Sequence, residues 1–341
     1  MSEKSKKGCL TRTIITGLLV VVGMFCLALF TIVLLFGSAI GSTAGALSDS
    51  SMAKKGYQST ILEEGKGKDI VLVIEVNTVI TAHKGISERL IEQIRYAAKE
   101  KNVKAVVLNL NTPGGEVVAT DEIHREIQKL RSETKKPVIA CMHSVAASGG
   151  YYLAAGSDYI VANKLTITGS IGVIISSYNM HELFKKIGVK PEVYKSGDMK
   201  DILSPGRDLN SPQAIKQAEL VQRMVKESFH EFATVVHEGR KIPLAEVKAP
   251  GIGDARIMSG REAKEKNLVD ELGYFEDAVR VAKQRAGVPN AFVVRLDRVP
   301  NLKDIIFGIQ KKVDQNAISE SLKEVMVLKP GRMYYLAPGY F

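Results

Sequence analysis

From Ile70 onward the chain alternates between short runs of branched aliphatic residues and longer stretches whose apolar positions recur every three or four residues. The runs "IVLVIEV" (70–76), "VKAVVLNL" (103–110), "PVIACMH" (137–143) and "DYIVAN" (158–163) predict strands buried on both faces. Between them, "ISERLIEQIRYAAKE" (86–100) and "EVVATDEIHREIQKLRSE" (116–133) predict amphipathic helices. "SIGVIISS" (170–177) predicts a further strand, and "SPQAIKQAELVQRMVKESFHEFATVVHEGRK" (211–241) a long helix capped by Ser211. "GREAKEKNLVDELGYFEDAVRVAKQRAG" (260–287) predicts two helices joined at Gly273. The expected class is α/β, a mostly parallel sheet with flanking helices. After Asn301 the periodicity fades, and the closing stretch "LKPGRMYYLAPGYF" is apolar, aromatic and too broken by proline to be a helix.

The region before this alternation has a different pattern. "TIITGLLVVVGMFCLALFTIVLLFG" (13–37) carries no charge, and none follows until Asp49. A bilayer core needs about 20 apolar residues, so this is a transmembrane helix, longer than the roughly 7–15 residue core of a cleaved signal. Lys4, Lys6, Lys7 and Arg12 precede it, and "SAIGSTAGALSDSSM" after it has no basic residue, so the N-terminus is expected in the cytoplasm. The expected organisation is a cytoplasmic N-terminus (1–12), a single-pass cell-membrane anchor (13–37), a connector (38–68), an extracytoplasmic α/β domain (69–300) and a C-terminal extension (301–341).

Composition narrows the chemistry. Forty-seven basic residues against 37 acidic give a net charge of +10. The charges are scattered, with no tryptophan and no basic stripe interleaved with stacking residues, so a nucleic acid is not the expected partner. Of the three cysteines, Cys9 and Cys26 fall before and within the span, and Cys141 reads as a buried strand residue, so no disulfide or zinc framework can be built. "HEFATVVH" sets His230 and His237 seven apart, which is not a zinc-protease spacing. "PGIGDAR" lacks the third glycine of a dinucleotide loop, and no phosphate loop is present. No cofactor and no metal is expected.

One short stretch attracts attention. "HSVAASGGYYLAAG" (143–156) sets Ser148 between two alanines and two glycines, at a strand-to-helix junction. Ser148 could cap the helix, or it could be a nucleophile whose small neighbours admit a substrate carbonyl. "NLNTPGGEV" (109–117) ends the preceding strand in Pro-Gly-Gly, so its free N–H groups lie at the carboxyl edge of the sheet beside Ser148 and could bind an oxyanion. No Gly-x-Ser-x-Gly elbow exists, and the six histidines are scattered. A lysine can take the serine proton where burial lowers its pKa, and "YKSGDMKDILSPGR" (194–207) offers Lys195 and Lys200.

In order, "NTPGGEV", "AASGGYYLA", "TGSIGVI" and "YKSGDMKDILSPGR", behind one membrane anchor, resemble the bacterial signal peptide peptidase A family of Ser/Lys proteases with the ClpP/crotonase fold, from about Val71 to Gly287. The resemblance implies that Ser148 is the nucleophile and Lys200 the general base, with Lys195 non-catalytic. It implies that Ser170 orients the lysine, and that the oxyanion is bound by backbone N–H groups of Gly149 and of Gly114 or Gly115. Asp201 would raise the pKa of Lys200 if the two side chains faced the same way. The implied substrates are apolar peptides such as remnant signal peptides. The implied assembly is a homo-oligomeric ring, eight-membered, in which neighbours share the dyad. The other functions compatible with the fold are a crotonase-like acyl-CoA enzyme and a non-catalytic membrane-anchored scaffold. The tail "GRMYYLAPGYF" is expected in an apolar groove, at a ring interface or in the binding groove itself.

Overall fold

The computed structural model describes residue 24 and residues 56–82, 85–299 and 332–338. The expected membrane span lies outside these residues except for Met24, which is helical, as do residues 1–12, the connector up to residue 55 and most of the C-terminal extension. Among the described residues no helix is long and apolar enough to cross a membrane. The chain divides into two compact units, Met1–Ser59 and Thr60–Phe341, and the second holds the candidate site.

The elements run β1 (Tyr57–Glu63), β2 (Ile70–Val76), α1 (Ile86–Lys99), β3 (Val103–Thr112), β4 (Gly114–Glu116), α2 (Val117–Thr134), β5 (Val138–Ala147), α3 (Gly149–Ala155), β6 (Tyr159–Ala162), β7 (Ile167–Gly169) and β8 (Ile174–Ile175). Then follow α4 (His181–Lys186), α5 (Pro212–Arg240), α6 (Leu244–Val247), β9 (Ile257–Ser259), α7 (Gly260–Glu265), β10 (Glu271–Leu272), α8 (Phe275–Ala286), β11 (Phe292–Arg298) and β12 (Met333–Leu336). The main sheet has the order β1-β11-β2-β3-β5-β6-β10, with β7 on β5 and β9 on β7. From β11 to β10 each neighbouring pair is parallel, as continuous Val/Ile runs between helices require. Alternate residues face opposite layers. Val71, Val73, Ala105, Val107, Ile139, Cys141, Val161 and Val293 pack with Ala278, Val279, Val281 and Ala282 of α8. Leu72, Ile74, Val106 and Leu108, on the other face, are equally buried.

Two predicted elements are shorter than the pattern suggests. The strand expected over 170–177 contracts to β8, because Gly169 (φ 75°) and Ser170 (φ 51°) leave the extended conformation. The first helix of 260–287 stops at Glu265. Asn267 at φ 58° turns the chain, and the buried Leu268 and Val269 lead into β10 rather than another helical turn. β11, unforeseen, pairs in parallel with β2.

The sheet divides at the middle of β5. Ile139–Met142 pair with β6, whereas Val145–Ala147 pair with β7. The last residues of β5 are thereby carried toward a second, three-stranded sheet of order β4-β12-β8, in which the C-terminal strand is antiparallel to both neighbours.

Candidate active site

Ser148 stands between the last residue of β5 and the first of α3, with φ 54° and ψ −114°. A non-glycine residue there costs on the order of 1–3 kcal/mol, so the surroundings must impose it. They do so through the backbone: the Ser148 N–H donates to the Gly169 carbonyl (2.8 Å), and its own carbonyl accepts from Tyr152 N–H (2.9 Å). α3 is wholly buried, and the Tyr151 hydroxyl donates to the Leu268 carbonyl (2.9 Å), which locks the helix in place. A methyl at Gly150 would meet Thr112 Cγ2 at 2.9 Å and its carbonyl oxygen at 3.0 Å, so the turn tolerates nothing larger. Ser148 occupies the N-cap position but makes no cap hydrogen bond. Its Oγ is buried and, among the described residues, without a partner. Of the two readings of this serine, the cap is thus unperformed and the hydroxyl is left for chemistry.

The Pro-Gly-Gly turn lies against it. The Gly114 N–H donates to Thr112 Oγ1 (3.1 Å), and that hydroxyl donates to the Thr78 carbonyl (2.7 Å). Ile80 clamps the turn from outside: its N–H donates to the Gly114 carbonyl and its carbonyl accepts from Glu116 N–H, each at 2.8 Å. The Ile80 carbonyl fills the space a side chain at Gly115 would need, and Gly114 has φ 108°. A methyl at Gly149 would lie 3.1 Å from the Gly115 nitrogen, so the two backbones pass in close approach. Gly149 opens α3, where N–H groups have no intrahelical acceptor. The Gly114 N–H is engaged by Thr112, which leaves Gly115 and Gly149 as the candidate oxyanion donors.

β12 runs directly over this turn. Tyr334, Tyr335 and Leu336 pair with Glu116, Gly115 and Gly114, and Ala337 N–H donates to the Pro113 carbonyl (2.9 Å). The Tyr335 carbonyl and the Gly149 nitrogen crowd the same side of Gly114, the nitrogen 2.7 Å from where a methyl would stand. The Tyr335 ring stacks on Tyr152 (centroids 5.1 Å apart, planes at 22°), packs against Phe232 (4.7 Å) and donates its hydroxyl to the Ser228 carbonyl (3.0 Å). Burial pushes the Tyr335 phenol above its ordinary range. Tyr152 is anchored in turn by its hydroxyl on Asp121 (2.8 Å).

Ser170 follows the carbonyl that receives the Ser148 N–H, and its own N–H donates to the Arg256 carbonyl (2.7 Å). Ser148, Ser170, Gly114, Gly115 and Gly149 are therefore gathered in one place. Lys200 is not among them. It lies in an exposed excursion between β8 and α5, and its ammonium has no hydrogen-bond or ion-pair partner among the described residues. Asp201 turns to Lys195 (2.8 Å) and to Gln217 Nε2 (2.8 Å), and the Lys195 ammonium holds its carboxyl below the usual range. Among the described residues no cluster of three or more His, Cys, Asp or Glu side chains could hold a metal. Thr112, Ile80, Tyr152 and Phe232 escaped sequence reasoning. Thr112 sits inside a quoted motif, but Phe232 lies 84 residues beyond Ser148 with nothing local to mark it.

Family models match on both sides of this turn: Clp protease over residues 64–166 and peptidase family S49 over residues 130–289. The chain is 36% identical over 242 residues to a protein of Enterococcus faecium named for signal peptide peptidase SppA, covering 68% of each chain. It is 35% identical over 257 residues to a Synechocystis protein named as a protease, covering 73% of this chain and 88% of that one. The chloroplastic serine protease SPPA of Arabidopsis thaliana is 34% identical over 260 residues, 72% of this chain but 37% of the plant protein. A mostly parallel α/β sheet presenting an uncapped serine beside a glycine turn is that of a ClpP-like serine protease. The chain belongs to the signal peptide peptidase A family, within peptidase family S49.

Proposed function

We propose that the chain is a membrane-anchored endopeptidase that degrades remnant signal peptides and similar apolar peptides through a Ser148/Lys200 dyad. The observation that carries this reading is the unpartnered Ser148 hydroxyl beside the Gly115 and Gly149 amides, with an extended peptide, β12, over the same turn. In the forward step Ser148 Oγ attacks the substrate carbonyl while Lys200 Nζ takes its proton. The carbonyl oxygen, now anionic, accepts from Gly115 and Gly149. Lys200 then returns the proton to the leaving amine, and water repeats the sequence on the acyl-enzyme. Ser170, beside the nucleophile, is the orienting hydroxyl for the ammonium.

The position of Lys200 supports a shared site. An arm that exposes Tyr178, Leu183, Ile187, Val193, Tyr194 and Met199 is a surface suited to a second copy, and a lysine on it would reach the serine of that neighbour. The assembly we propose is a ring of eight copies at the cell membrane, with the N-terminus cytoplasmic. The test is hydrolysis of a Leu/Ala-rich peptide containing one tyrosine by the purified full chain in detergent. Ser148→Ala and Lys200→Ala should each lower kcat/KM on the order of 10³-fold or more. Wild-type turnover by either variant refutes the assignment.

A further inference from the structure

The strand over the candidate site makes one charged contact that a preference for apolar peptides does not explain. Arg332, immediately before β12, donates from Nη1 to Glu116 Oε1 at 2.6 Å, and Glu116 Oε2 accepts the Ala82 N–H at 3.3 Å. The Glu116 side chain is 13% exposed and that of Arg332 is 50% exposed, so the anion belongs to the site and the cation arrives from outside. Glu116 directly follows Gly115 and closes β4, with its φ of −64° and ψ of 134° held by the pairing of its backbone N–H with Ile80. Although it occupies the N-cap position of α2, it makes no side-chain cap bond. Without Arg332, the Glu116 carboxylate keeps one long hydrogen bond, from Ala82, and no ion-pair partner among the described residues, so it is open to another cation.

The register says which cation. Tyr335 is the residue whose carbonyl meets the oxyanion glycines, and Tyr334 lies opposite Glu116. Side chains alternate along a strand, so Met333 shares the face of Tyr335, while Arg332 shares the face of Tyr334 and reaches the carboxylate. We infer that Glu116 is a specificity-determining residue, an acidic subsite selecting substrates with lysine or arginine three residues before the one whose carbonyl is attacked. This rests on the proposed function, with β12 marking the path of a bound peptide. A basic residue a few positions ahead of an apolar cleavage point occurs where the charged start of a signal peptide meets its apolar core.

The experiment uses the full chain in detergent and three peptides of one sequence, with Arg, Gln or Glu at that position. Wild type should prefer Arg to Gln by about tenfold in kcat/KM, mainly through KM, as one charge-assisted hydrogen bond provides, and should disfavour Glu further. Glu116→Gln, which retains an acceptor for Ala82, should abolish the Arg preference. Glu116→Lys should turn it toward Glu. Equal cleavage of the three peptides by wild type overturns the inference. So does a Glu116→Gln variant that slows all three in the same proportion, since that describes a purely structural carboxylate. Ser148→Ala keeps the two ideas separate: cleavage that survives it refutes the site, whereas cleavage that needs Ser148 but ignores charge refutes only the subsite.

Discussion

Thr112 shows how one side chain sets the geometry of the oxyanion turn. Its buried hydroxyl accepts the Gly114 N–H and donates to the Thr78 carbonyl, which holds Gly114 at φ 108°. Thr112→Val preserves shape but strips the buried Gly114 N–H and the Thr78 carbonyl of their partner, so stability should fall by about 1–3 kcal/mol in chemical denaturation. Activity should fall further than that loss explains, because Gly114 is freed to rotate; an unchanged kcat in the folded variant counts against this role. Gly115→Ala is harsher, since the Ile80 carbonyl already fills the place of the new methyl. Ser148 and the glycines were legible in the sequence because a nucleophile turn leaves a local trace of small residues. Thr112 had no such trace: its role appears only when Thr78, 34 residues earlier in the chain, is brought beside it.

Among the elements, α2 and α3 meet at the ring of His124, which packs edge-on to Tyr152 (5.0 Å, 76°) and accepts from Gln128 Nε2 (3.1 Å). Burial lowers the His124 pKa to about 4, with Arg131 adding to the effect and Asp121 opposing it. A folded pKa below the unfolded value near 6.5 means the unfolded chain binds the proton first. Stability is therefore whole above pH 6.5 and drains away as pH falls toward 4, by about 3 kcal/mol in all. Denaturation at pH 7.5 and pH 4.5 should show a loss about 2–3 kcal/mol larger for wild type than for His124→Gln; equal losses would place the histidine in water. The same helix pair receives Tyr335, so β12 is a further test of element packing. If the tail lies as a substrate does, mass spectrometry should find the wild-type chain ending at Tyr335 and the Ser148→Ala chain intact to Phe341. Phe341 retained in both would make β12 a strand of the sheet and nothing more. Periodicity could not foresee this strand, because four residues broken from the core by proline and glycine carry no repeat, and its partners lie more than 150 residues earlier.

At the scale of the whole molecule, the sheet was legible in the residues themselves, whereas a ring that shares a dyad came only from the family resemblance. Val/Ile runs between helices announce parallel pairing wherever they occur, and four of the buried strands were recovered from that pattern alone. Where Lys200 goes depends on what the excursion between β8 and α5 packs against, and that segment is exposed in the isolated chain, with α4 burying no residue. Its side chains are too apolar to stay in water: exposed Tyr178, Leu183, Ile187 and Val193 would together return several kcal/mol on burial at about 25 cal/mol per Å². If a neighbouring copy supplies that cover, its Ser148 is completed by this chain's Lys200. Mixing inactive Ser148→Ala and Lys200→Ala chains, dissociated and reassembled together, should then restore activity. A junction is intact only where a Lys200→Ala chain presents its serine to the lysine of a Ser148→Ala neighbour. Random mixing in equal amounts creates that order at one junction in four, so about a quarter of wild-type activity should return, rising and falling with the mixing ratio as the product of the two fractions. Chains that each hold a complete dyad would show no recovery at any ratio, and the lysine would then have to fold back onto its own serine.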